Sequence, residues 1–110
     1  MQLVKRATSP RGELTLSRRD DGSLTLRVNG VFVMDTAETS TERLLARRTI
    51  DALASRRRAD KSTGYRVLIG GLGLGFTSHE LLLDSRVDCI VVAEIEPDLV
   101  QWHRQGLIDI

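Results

Sequence analysis

Residues 66–75, Arg-Val-Leu-Ile-Gly-Gly-Leu-Gly-Leu-Gly, carry an apolar strand straight into a glycine-rich turn. Val67-Leu68-Ile69 is apolar throughout, the pattern of a strand covered on both faces of a parallel sheet. Gly71, Gly73 and Gly75 allow a sharp turn and a close approach of backbone to ligand, and they lead into a helix expected to begin near Phe76. A second apolar run, Cys89-Ile90-Val91-Val92-Ala93, ends at Glu94, about 20 positions beyond the glycines. A carboxylate at the tip of a second strand is placed to accept hydrogen bonds from a ribose diol, so the pair of features reads as a nucleotide-cofactor site.

The glycine spacing selects among cofactors. A dinucleotide loop, G-x-G-x-x-G, counted from Gly71 needs glycine at 76, where Phe76 stands, and counted from Gly70 it meets Leu72. The G-x-G-x-G that remains resembles the first motif of class I S-adenosylmethionine-dependent transferases and makes NAD the weaker reading. The cofactor implied is S-adenosylmethionine or a related thioether nucleoside, and the binding set is Gly71, Gly73, Gly75, Glu94 and its neighbour Ile95. The plain alternative is a tight strand-to-helix turn with no ligand.

Two further stretches sharpen the resemblance. Residues 67–102, centred on Glu94-Ile95-Glu96-Pro97-Asp98, and the upstream run from Leu24 through Asn29-Gly30 to Met34 resemble, in order, the N-terminal β-region and cofactor half of the spermidine synthase family and its methyltransferase-like relatives. The resemblance spans roughly residues 13–110. It implies a transferase, with departures that point away from polyamine chemistry. Leu74 stands where the family's loop aspartate would meet the amino end of the cofactor, Val33 where a glutamine is expected, and Glu42 and Arg43 where a tyrosine and a histidine line the polyamine pocket. Arginine in place of acid would repel a polycation, so methyl transfer is favoured over aminopropyl transfer. The family's acceptor-activating aspartate follows a fourth sheet strand that falls beyond Ile110, which leaves the catalytic residue unknown. The first two sheet strands, and the start of a connection toward a third at Leu107-Ile108-Asp109-Ile110, are what this length accommodates. The expectation is a fragment, or a sheet completed by another chain in a homodimer or higher oligomer. A non-catalytic binding or assembly module is the alternative.

Composition narrows the partners. The chain has 110 residues, 41% hydrophobic and 28% charged, with a net charge of +1. Nothing in that balance argues for nucleic acid or a membrane surface. No apolar run approaches 18 residues and no signal-peptide core follows Met1, so a cytoplasmic location is the default. Cys89, the only cysteine, is expected as a buried inert thiol within its strand. His79 and His103 stand far apart with no partner at ligand spacing, so no metal site is expected; His79 is read as a partly exposed surface residue.

The expected architecture is α/β: an antiparallel meander plus helix over residues 1–62, then the first half of a Rossmann-like class I methyltransferase fold over 63–110. Leu14 and Leu16, then Leu24, Leu26 and Val28, alternate with polar residues, and Asp21-Gly22 and Asn29-Gly30 are hairpin dipeptides, giving three strands. Thr39 to Glu42 forms a capping-box pattern for a helix with an apolar stripe of Leu45, Ala46, Ile50, Leu53 and Ala54, running to about residues 55–58. Arg56-Arg57-Arg58 reads as a solvated helix end and residues 60–64 as a linker. Pro97 suits a first helical turn, Trp102 a packed helix face, Glu96 a capping or exposed acid, Glu80 a solvent or site position, and Asp35 a place at the cofactor's sulfonium end.

Overall fold

Asn29 and Gly30 both adopt positive φ, 51° and 76°, the backbone that a two-residue hairpin turn of matching twist requires. They join β3 (Leu24–Val28) to β4 (Val31–Asp35), with Val28 opposite Val31. Preceding them, β1 (Gln2–Ser9) and β2 (Gly12–Arg18) complete a four-stranded antiparallel sheet in the order β1-β2-β3-β4. β1 is an addition to the expected three strands. It is an edge strand with mostly exposed polar residues such as Lys5, Arg6 and Thr8, and its register slips between Leu3 and Lys5, so it carries no clean alternation.

The computed structural model describes residues 1–56 and 64–109, which group as Met1–Thr39 with Glu96–Asp109, and as Ser40–Ile95. This grouping differs from a division at residue 62, because the helix after the meander joins the second group and the last helix joins the first. In the first group the alternation holds for the leucines, although Ser17 and Thr25 beside them are buried as well and Val28 is exposed. Leu14, Leu16, Leu24 and Leu26 are buried, and Leu16 lies opposite Leu26 across β2 and β3. Each such side chain contributes about 1.5–3 kcal/mol on leaving water. Also in this group is α3 (Pro97–Arg104), with Pro97 in its first turn and Leu99 and Trp102 buried. α3 stops at Gly106, φ 74°, where the amides of Gly106 and Leu107 return to the carbonyls of His103 and Trp102, the double bond pattern of a glycine-closed helix end. Residues 107–109 form no strand.

In the second group, α1 (Ser40–Arg56) and α2 (Phe76–Leu82) lie with a parallel pair, β5 (Tyr65–Gly70) and β6 (Val87–Ala93). The core is Ala46, Ile50, Tyr65 and Leu81, with Ala54, Val67, Ile69, Val87 and Ile90 packed against it. The α1 stripe is therefore narrower than expected. Ala46, Ile50 and Ala54 follow an i, i+4, i+8 line, whereas Leu45 and Leu53 are exposed. The second face of the β5–β6 pair is open: Leu68 is 73% and Val91 57% exposed. Cys89 lies on that open side and is exposed, which corrects its expected burial. Arg57-Arg58 and residues 60–63 of the expected linker lie outside the described residues.

Candidate functional site

β5 ends at Gly70, and the parallel ladder with β6 continues one step into the turn, where the Gly71 amide donates to the Ala93 carbonyl over 2.8 Å. The next rung is made by a side chain. The Leu72 amide donates to Glu94 Oε1 at 2.7 Å, and the Leu72 carbonyl accepts from the Gly75 amide at 3.0 Å. Gly71, Gly73 and Gly75 have φ of 98°, 53° and 88°, all in the region that L side chains avoid at a cost of about 1–2 kcal/mol each. Gly75 is also the N-cap of α2 and supplies the carbonyl that His79 N–H and Ser78 Oγ both use. A Cβ built on Gly71 would meet no atom within 4 Å. At that residue the loop needs glycine for its backbone angle, and the space beside it is open.

Glycine loop and β6 carboxylate are thus brought together within one group, as the sequence implied, and Ile95 beside Glu94 is exposed. Leu74 is different. Its side chain is 1% exposed, among the most buried in the chain, so it lines no ligand surface, and its replacing an acid says little about which cation the loop could meet.

The residues flanking α2 were not apparent as a set from sequence. Glu80, largely buried, pairs with Arg47 at 3.3 Å and Arg43 at 3.8 Å. Arg43 also sits over the Phe76 ring, 5.3 Å from its centroid. Arg43 and Arg47 lie four apart on α1, a spacing that could have flagged a shared target. Thr77 Oγ1 donates to the Glu42 carbonyl at 3.4 Å, and Glu42 Oε2 is buried without a hydrogen-bond partner, so that oxygen does not close the expected capping box. Arg86 pairs with Asp51 and Asp84 at 2.9 and 2.8 Å.

Two acids considered for the site are engaged in the first group. Glu96 accepts from the Arg11 guanidinium and from Ser9 Oγ, and the Arg11 bond holds its carboxyl below the usual range. Asp35 Oδ1 accepts the amides of Glu38 and Ala37, and Oδ2 takes Arg19 Nη1 at 2.7 Å. Those bonds, the Glu38 amide first and Arg19 next, hold the Asp35 carboxyl below its ordinary value. Asp35 therefore closes the turn before α1. Among the described residues no three His, Cys, Asp or Glu side chains are grouped to hold a metal ion, and no helix is long and apolar enough to cross a membrane.

No protein-family model matches the chain, and no curated protein matches it. Solved structures do. Spermidine synthase from Thermotoga maritima superposes with a TM-score of 0.76 at 18% identity, covering 96% of this chain and 34% of that one. The fold of this chain resembles the N-terminal part of spermidine synthase. A spermidine synthase in complex with the transition state analogue AdoDATO gives 0.73 at 16% identity, over 96% of this chain and 35% of its own. At such identities the likeness is one of fold, and the chain spans about a third of either spermidine synthase.

Proposed function

We propose that this chain is the cofactor-binding portion of a spermidine synthase-like transferase, and that its glycine loop and Glu94 take S-adenosylmethionine or a related thioether nucleoside. The observation that carries the reading is the Glu94–Leu72 contact. It brings a carboxylate from the end of β6 against a loop whose three glycines all hold positive φ. The donor set fits such a nucleoside. Backbone at Gly71, Gly73 and Gly75 can approach a ligand closely, the Gly71 side is open, and a carboxylate has about four acceptor positions to divide between loop amides and ribose hydroxyls. Ile95, exposed beside it, offers apolar surface to a base. A neighbour of the same fold was captured with AdoDATO, which is consistent with a nucleoside-type ligand here. When bound, S-adenosylmethionine would supply an electrophilic carbon next to a sulfonium, whereas a thioether nucleoside would occupy the same site as a product.

Methyl transfer is preferred to aminopropyl transfer because two arginines, Arg43 and Arg47, occupy Glu80 on α2, and Arg43 covers the Phe76 ring at that helix's start. A polycationic acceptor would meet their charge.

Titration calorimetry tests the cofactor. S-adenosylmethionine or its thioether products should bind and NAD should not. Glu94→Ala should weaken binding by about 1.5–3 kcal/mol for each charged hydrogen bond lost. Equal affinities of parent and variant would remove Glu94 from the ribose, and spermidine formed from putrescine and decarboxylated S-adenosylmethionine would overturn the preference for methyl transfer.

A further inference from the structure

Leu72 sits in the middle of the glycine loop with both of its backbone polar groups engaged. Its carbonyl takes the Gly75 amide, and its amide goes to Glu94 rather than to any strand carbonyl. The rung before it, Gly71 to Ala93, is ordinary backbone pairing. Glu94 therefore extends the β5–β6 ladder by one step with a side chain. The bond is charge-assisted, short and partly buried, which places it among the stronger single contacts a loop can make. Its target needs such help, because a segment with three glycines loses more conformational freedom on ordering than any other sequence would.

We infer that Glu94 is a positioning residue for the glycine loop: its carboxylate clasps the Leu72 amide and sets the loop's shape before any ligand arrives. This rests on the proposed cofactor site for its purpose but not for its test. A ribose-binding carboxylate would act only when ligand is present, whereas a clasp acts in its absence. The two roles share one side chain, so loss of affinity in Glu94→Ala cannot by itself tell them apart. Affinity would fall because the ribose lost an acceptor, or because the loop lost its form.

The ligand-free chain separates them. Amide hydrogen exchange followed by NMR should show Leu72 exchanging about tenfold faster or more in Glu94→Ala. The strand amides of β5 and β6 should keep their protection, which controls for general loosening. Glu94→Gln, which keeps a neutral acceptor at the same reach, should restore most of the protection at Leu72. Glu94→Asp keeps the charge but is one methylene shorter, and should restore less than glutamine does. Should Glu94→Ala fail to fold, the parent still decides: a scalar coupling across the hydrogen bond, from the Leu72 amide nitrogen to Glu94 Cδ, is expected without ligand. Absence of that coupling, or Leu72 exchange that is the same in parent and variants, overturns the clasp whether or not a nucleoside binds. Weakened nucleoside binding in Glu94→Ala with unchanged Leu72 exchange overturns it too, while leaving the ribose contact standing.

Discussion

The meander is rich in leucine and valine and the parallel pair in leucine, isoleucine and valine, yet they treat these residues differently. In the meander Leu14, Leu16, Leu24 and Leu26 are buried to 5% exposure or less, each flanked along its strand by a polar or charged neighbour. In the pair, β5 and β6 are apolar at most positions, and Tyr65, Val67, Ile69, Val87 and Ile90 pack on the helices. Leu68 and Val91, chemically indistinguishable from the aliphatic ones among these, face the other way. The comparison teaches that an apolar residue on a strand adds stability according to what covers its face, and that alternation is the sequence's record of that cover.

Substitutions can break the comparison. The largest effects belong to side chains enclosed in either group. Leu16→Ala and Ile50→Ala, both fully buried in the parent, should each cost about 2–5 kcal/mol in urea or thermal unfolding. A cost well below that at Ile50 would mean that α1 is not the cover of the parallel pair.

A middle-sized effect is expected at Asp35, whose carboxylate closes the turn before α1. Asp35→Ala should cost about 0.5–1.5 kcal/mol at neutral pH, the range for losing an intramolecular hydrogen bond, here one that closes a turn. The sign of its pH dependence follows from the depressed carboxyl. A group whose folded pKa lies below its unfolded value stabilises above the unfolded pKa, here 3.8, and the contribution fades as pH falls through the lower folded value. Parent and variant should therefore differ most near neutrality and converge in acid below about pH 4. A difference that grows on acidification would contradict the contacts with Ala37, Glu38 and Arg19.

The smallest effect is the most pointed. Leu68→Thr, on the open face and still a β-compatible residue, should change stability by no more than about 0.5 kcal/mol. If Leu68→Thr proved as costly as Ile50→Ala, that face would be covered in solution and the contrast with the meander would vanish.

Much of the fold could be read from residues with local consequences. Asn29-Gly30 demands a tight hairpin wherever it is placed, because both residues must take positive φ. Pro97 and Gly106 bracket α3 for equally local reasons. β1 was not legible, since an edge strand needs neither alternation nor apolar residues once β2 offers its hydrogen bonds. The stripe on α1 was drawn too wide for a related reason: Leu45 and Leu53 satisfy a helical period, but α2 and the parallel pair reach only the Ala46–Ile50–Ala54 line.

At the candidate site the division is similar. That Gly71, Gly73 and Gly75 would turn the chain, and that Glu94 would end the next strand, follows from the sequence alone. These are properties of single residues and of strand length. What only the tertiary structure decided is where the side chains go: Glu94 to the Leu72 amide, Leu74 into the interior, Arg43 and Arg47 onto Glu80, Asp35 and Glu96 into contacts of their own. A carboxylate's partner depends on which donors lie within about 3 Å in space. That distance is set by the packing of elements many residues apart, and no spacing along the chain encodes it.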